Sequence, residues 1–79
     1  MPVVLMQDGF EVRIYTRDHR PPHVHVVKDN EQIIINLGSE TEPLAIREVW
    51  MNRPDARRAV AIVEERHLFL LRKWREIHG

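Results

Sequence analysis

The chain has 79 residues, no cysteine, and twelve basic side chains balanced by twelve acidic ones. That length supports one domain, 1–79, near the lower limit for a self-sufficient core. The lack of cysteine removes disulfides, thiolate chemistry and cysteine-type zinc sites, and the zero formal charge argues against generic nucleic-acid binding while leaving room for a local basic patch.

The amino-terminal run Met1-Pro2-Val3-Val4-Leu5-Met6 has no basic region and meets Gln7-Asp8 at once, so it does not read as a signal peptide. No apolar run approaches the ~20 residues of a membrane span. A cytoplasmic location fits both features and the absence of cysteine. From Phe10 to Tyr15 the sequence alternates strictly, with Phe10, Val12 and Ile14 on one side and Glu11, Arg13 and Tyr15 on the other, as in a half-buried strand. A second strand runs from His23 to about Lys28, with Val24 and Val26 on one face and His23, His25 and Val27 on the other. Asp29-Asn30 tolerates the positive φ of a tight hairpin, and the β-branched run Ile33-Ile34-Ile35 marks a third strand over Gln32–Leu37. After the loop Gly38–Pro43, Leu44–Val49 reads either as a short fourth strand or as a helical turn.

From Asn52 the period changes. Asn52 suits an N-cap, and Arg53-Pro54-Asp55 suits a first helical turn, with Asp55 at the positive end of the helix dipole. Ala56, Ala59, Val60, Val63, Leu70, Leu71, Trp74 and Ile77 then form one apolar stripe, which predicts a single long helix ending near Gly79. Such a helix covers one face of a small antiparallel sheet and leaves nothing to cover the other. The expected architecture is α+β: three or four antiparallel strands packed on one C-terminal helix. Its open face would show Glu11, Arg13, Tyr15, His23, His25 and Asn36.

Three of the five histidines fall within His19-Arg20-Pro21-Pro22-His23-Val24-His25. The two prolines restrict the residues before them to extended conformations, so the chain is expected to enter His23 straight. His23 and His25 share a strand face, and His19 could fold back over them to hold zinc with an open fourth position. No other cofactor is suggested, and only Asp18 and Glu11 stand near as carboxylates. The same histidines, with Tyr15, could work as metal-free acid and base, with Arg13 or Lys28 on a phosphate. A third reading has the imidazoles bonded to backbone carbonyls, clamping the Pro-Pro loop. Asp18 reads as a turn-former or as the group that orients a histidine tautomer. Tyr15 and Arg13 are either plain strand residues or contacts to base and phosphate. His67 falls inside the helix stripe as a satisfied core histidine, and His78 can cap the last carbonyls. Ile62 and Phe69 make a second apolar row that either covers a partner or is reached by a wider sheet.

The order of these features, a strand ending in Tyr15, then Asp18-His19-Arg20-Pro21-Pro22-His23-Val24-His25, then a hairpin and a helix carrying Trp74, resembles the small bacterial family named domain of unknown function four-one-six-zero (DUF4160). The resemblance implies a stand-alone cytoplasmic α+β protein encoded beside a second small protein, as in a toxin–antitoxin-like pair. Two functions follow. One is a toxin–antitoxin component, nuclease-like, whose face of His19, His23, His25, Tyr15, Arg13, Asp18 and Glu11 acts on RNA. The other is a non-enzymatic module, an antitoxin or adaptor, docking a protein through the sheet face or the Ile62/Phe69 row, as a monomer or homodimer and without a membrane partner. A histidine-based metal-binding protein stands beside both.

Overall fold

Two-residue turns organise the first half of the molecule. Asp8 and Gly9 both take positive φ, 54° and 81°, and join Gln7 to Phe10, which face each other across an antiparallel ladder. Their left-handed backbone matches the twist of the strands it connects. The structure, a computed structural model, describes residues 2–79, and Met1 lies outside them. Among these residues, β1 (Val3–Gln7), β2 (Phe10–Arg13), β3 (His23–Lys28), β4 (Glu31–Asn36) and β5 (Ala45–Trp50) form one antiparallel sheet in that spatial order. The expected sheet of three or four strands is therefore five-stranded, with Val3–Gln7 added at one edge and the alternative of a helical turn after Leu44 settled as a strand.

Two other boundaries are corrected. The ladder of β2 stops at Arg13, short of Tyr15: the Ile14 N–H still donates to the Pro2 carbonyl, but Tyr15 enters a turn with Asp18. The single helix is two segments, α1 (Arg53–Glu65) and α2 (His67–His78). Arg66 leaves helical geometry (φ −111°, ψ 21°), and its N–H is shared between the carbonyls of Ile62 and Val63. Immediately after the break, His67 sits against the Leu37 carbonyl through Nε2, which ties the start of α2 to the exit of β4.

Both segments serve one core. Val12, Val24, Val26, Ile33 and Ile35 line one sheet face, and Ala59, Ile62, Val63, Leu70, Leu71 and Trp74 meet them from the helices, all buried. Asn52 caps α1 by accepting from the Asp55 N–H (2.9 Å), while Glu31 accepts from the Asn52 backbone and Lys28 pairs with Asp55 at 3.2 Å. The β3–β4 hairpin thus holds the helix start. Gly38, at φ +62°, allows the following loop to fold back: a Cβ there would lie 2.5 Å from the Pro43 carbonyl oxygen. No helix is long and apolar enough to cross a membrane among the described residues.

The opposite sheet face carries cross-strand rows: Glu11–Val27–Gln32–Trp50, Arg13–His25–Ile34–Glu48 and His23–Asn36–Ala45. They include Glu11, Arg13, His23, His25 and Asn36, five of the six residues expected on the open face; Tyr15 lies beyond the end of β2. His23 departs from the expectation, being only 5% exposed, because α2 brings the Trp74 ring to 5.3 Å from its imidazole. Ile62 is corrected as well. It lies wholly in the core, and Phe69 is half-buried against that core with Lys73 Nζ 5.6 Å over its ring, so the two form no free partner row.

Candidate functional site

The connection from β2 to β3 builds the site. Tyr15 N–H donates to Asp18 Oδ2 (3.1 Å), and the Asp18 N–H donates back to the Tyr15 carbonyl (3.1 Å). This is the local turn that aspartate favours. The chain then bends at Arg20 and Pro21, so it does not enter His23 straight as expected. His19 is left exposed on this loop and outside the histidine cluster. The Pro21 carbonyl turns inward and accepts from His23 Nδ1 (2.9 Å).

Three side chains converge there: Asp18, His23 and His25. Asp18 Oδ2 lies 3.5 Å from His23 Nε2 and 3.4 Å from His25 Nε2, and a donor atom from each of the three residues lies within 4.8 Å of the other two. With Nδ1 donating to Pro21, a neutral His23 presents its Nε2 lone pair to the carboxylate. His25 Nε2 is buried, without an aligned hydrogen-bond partner. If that nitrogen carries a proton, a donor goes unused; if it does not, a second lone pair faces Asp18. Either way the cluster is left electrostatically incomplete, a state that a buried polar group rarely keeps without compensation. Burial, more than any neighbour, lowers the His25 pKa from its ordinary value; His23 and Arg47 add to this, and Asp18 opposes it. The shift favours the neutral imidazole, the form a metal ion requires.

The surroundings fix these rings. The Tyr15 ring packs edge-on against His25 at 4.8 Å, and His25 packs against His23 at 5.2 Å. Trp74 backs His23 and stacks on His78 at 3.8 Å, and His78 lies between the carbonyl oxygens of Trp74 (3.2 Å) and Tyr15 (3.1 Å). The end of α2 is thus fastened to the turn that carries Asp18. Arg13 is committed locally: Glu11 Oε1 accepts from its Nη2 (2.6 Å) and Nε (3.0 Å), and Nη1 donates to the Tyr15 hydroxyl (3.3 Å). These bonds raise the Arg13 pKa, Tyr15 contributing most.

Of the residues singled out from the sequence, His23, His25 and Asp18 come together, and Tyr15, Arg13 and Glu11 form a connected strip beside them. His19 does not join. The two contributors that sequence reasoning missed in this role are Trp74, read only as core, and His78, read only as a helix cap. Their four-residue spacing on one helix signals a mutual contact, but nothing local signals the reach to Tyr15.

The family model for DUF4160, described as a domain of unknown function, matches residues 9–75. The chain belongs to this family. No match is found among curated proteins or solved structures. The toxin–antitoxin pairing that the resemblance implies gains no support from the family match, which carries no reaction and no partner.

Proposed function

We propose that this protein binds a divalent transition metal, zinc in the first instance, through Asp18 Oδ2, His23 Nε2 and His25 Nε2. The carrying observation is the convergence of one carboxylate oxygen and two imidazole nitrogens at 3.4 and 3.5 Å with no aligned hydrogen bond to His25 Nε2. Metal–ligand bonds of about 2.0–2.2 Å in a tetrahedron place neighbouring ligand atoms about 3.4 Å apart. The His23 Nδ1–Pro21 bond is the outer contact that metal-binding histidines use to fix ring and tautomer. Three protein ligands would leave a fourth position for water or substrate. A metal held by Asp18, His23 and His25 would acidify bound water and could supply a hydroxide near neutral pH.

Contact with RNA through the open face is the second reading, favoured by Arg13, Arg47 and Trp50 lying around the same rows. It is weakened by the zero net charge and by the Glu11–Arg13 pair, which occupies the Arg13 guanidinium. The metal reading needs neither charge surplus nor a free arginine.

Calorimetric titration with Zn²⁺, and with Co²⁺ followed by visible absorption, tests the proposal. One equivalent should bind. Asp18→Asn and His25→Ala should each lower affinity by about 10–100-fold or more, while His19→Ala should leave it unchanged. Absence of stoichiometric binding, or equal loss in His19→Ala, would refute the assignment.

A further inference from the structure

The last strand is the most exposed part of the sheet. Every residue of β5 is exposed, and it stands at the edge next to β4 alone. Ile46 is 56% exposed, Val49 48% and Trp50 69%. At the other edge, β1 exposes only Met6 to this degree. An uncovered edge bearing apolar side chains offers a template for another strand, and proteins usually blunt such edges.

A β-bulge gives this edge an unusual property. Ile46 pairs with Ile35 and Glu48 with Ile34, so Arg47 is the extra residue. In a regular strand, residues three apart point to opposite faces. Here Ile46 and Val49 both sit on the helix side, opposite the core residues Ile35 and Ile33. Ala45, Glu48 and Trp50 lie on the open side, opposite Asn36, Ile34 and Gln32. Arg47, the extra residue, carries a charge that is felt at His25.

We infer that two copies of this chain associate edge to edge through β5, antiparallel about a two-fold axis between Arg47 and Glu48. In this register Ile46 lies opposite Val49 of the second copy, Arg47 opposite its Glu48, and Ala45 opposite its Trp50. Each pair occurs twice, as a two-fold interface requires. The three cross-strand matches are apolar with apolar, cation with anion, and a small residue with a large ring. The bulge is what makes the odd register consistent on both faces, since it places Ile46 and Val49 on one side. On the helix side, the joined Ile46 and Val49 residues extend an apolar cleft of about 480 Å³ between β5 and α1, lined by Ile46, Ala56, Val60, Arg53 and Arg57. A different protein could also add a strand here, but it would have to reproduce the complementarity that the chain already has with itself.

Sedimentation equilibrium on the full chain, with chelator present, tests the inference separately from metal binding. The expected species has twice the 9.4 kDa mass of the chain. Glu48→Arg and Arg47→Glu each set like charges opposite one another at two positions, and each should raise the dimer dissociation constant about ten-fold or more. The double variant Arg47→Glu/Glu48→Arg restores opposite charges and should recover most of the affinity. All three variants should retain the far-UV circular dichroism of the parent. A monomer across the concentration range would overturn the inference. So would a dimer unaffected by the single charge reversals, or one that the double reversal weakens further.

Discussion

Replacing Trp74 with alanine tests the packing that joins the helix layer to the site. Trp74 is 4% exposed on α2, with the His23 ring at 5.3 Å on one side and His78 stacked at 3.8 Å on the other. Truncation of a buried tryptophan costs about 3–5 kcal/mol through lost transfer free energy and the cavity left behind. A chain of this size holds roughly 4–12 kcal/mol in total, at ~0.05–0.15 kcal/mol per residue. The substitution should therefore remove a quarter or more of the stability, measured as a lower urea midpoint at unchanged slope. Trp74→Phe keeps a ring against His23 and should lose less. Because His23 would lose its backing, Zn²⁺ affinity should fall in Trp74→Ala even under conditions where the variant stays folded. A loss below about 1 kcal/mol, with zinc binding intact, would refute both the packing argument and the link between Trp74 and the cluster.

Two further outcomes follow from the cluster itself. Imidazole ¹⁵N spectra of the metal-free protein at neutral pH should show His23 as the Nδ1–H tautomer, donating to Pro21, and one equivalent of Zn²⁺ should shift its Nε2; an Nε2–H tautomer would contradict the ligand assignment. The pH dependence has a definite sign: burial lowers the folded-state pKa of His25, so the unfolded chain takes up its proton first. Stability from this group is complete above the ordinary imidazole value of about 6.5. It declines as pH falls from there to the lower folded-state value, and chelator-treated protein should show this slope in urea melts while His25→Asn shows less of it.

The residues whose roles were legible in sequence are those with local periodicity or local turn chemistry. Val12, Val24, Val26, Ile33 and Ile35 alternate, and all are in the core. Asn52 caps the helix it precedes, and Asp29 takes the positive φ expected of its turn. Asp8-Gly9 carried an equally strong local signal. An aspartate-glycine pair between apolar runs marks a hairpin, and reading it as such would have added β1. The break at Arg66 had no comparable signal. Neither proline nor glycine stands there, and its stabilising contact, His67 with the Leu37 carbonyl, spans thirty residues. Ile62 illustrates the same limit. Whether an apolar helical residue lies beyond the core stripe or within it depends on how far the sheet extends, and β1 widened it, with Val4 and Leu5 packed against the core.

His19 was expected to fold back over His23 and His25, and Asp18 stands there instead, at a level of organisation that spacing does not report. Strand alternation puts His23 and His25 on one side of β3, and this much is contained in the pattern. Whether the third donor comes from position 18 or 19 depends on the path between the strands. Asp18 closes a turn on Tyr15 with one oxygen, and the same Oδ2 faces both imidazoles. That double contact holds the carboxylate at the cluster and carries the next residue, His19, outward. The turn-forming and histidine-facing readings of Asp18 are therefore one arrangement. The Pro21 carbonyl joins the clamp reading to the metal reading in the same way. A backbone bond at His23 Nδ1 immobilises the loop, and by fixing that proton it leaves Nε2 free to bind a cation. A site assembled from bonds that also stabilise the loop predicts that Asp18→Asn, which keeps the shape and an acceptor for the Tyr15 N–H, should lose metal while the fold persists. His23→Ala should lose both, since its ring is packed against Trp74.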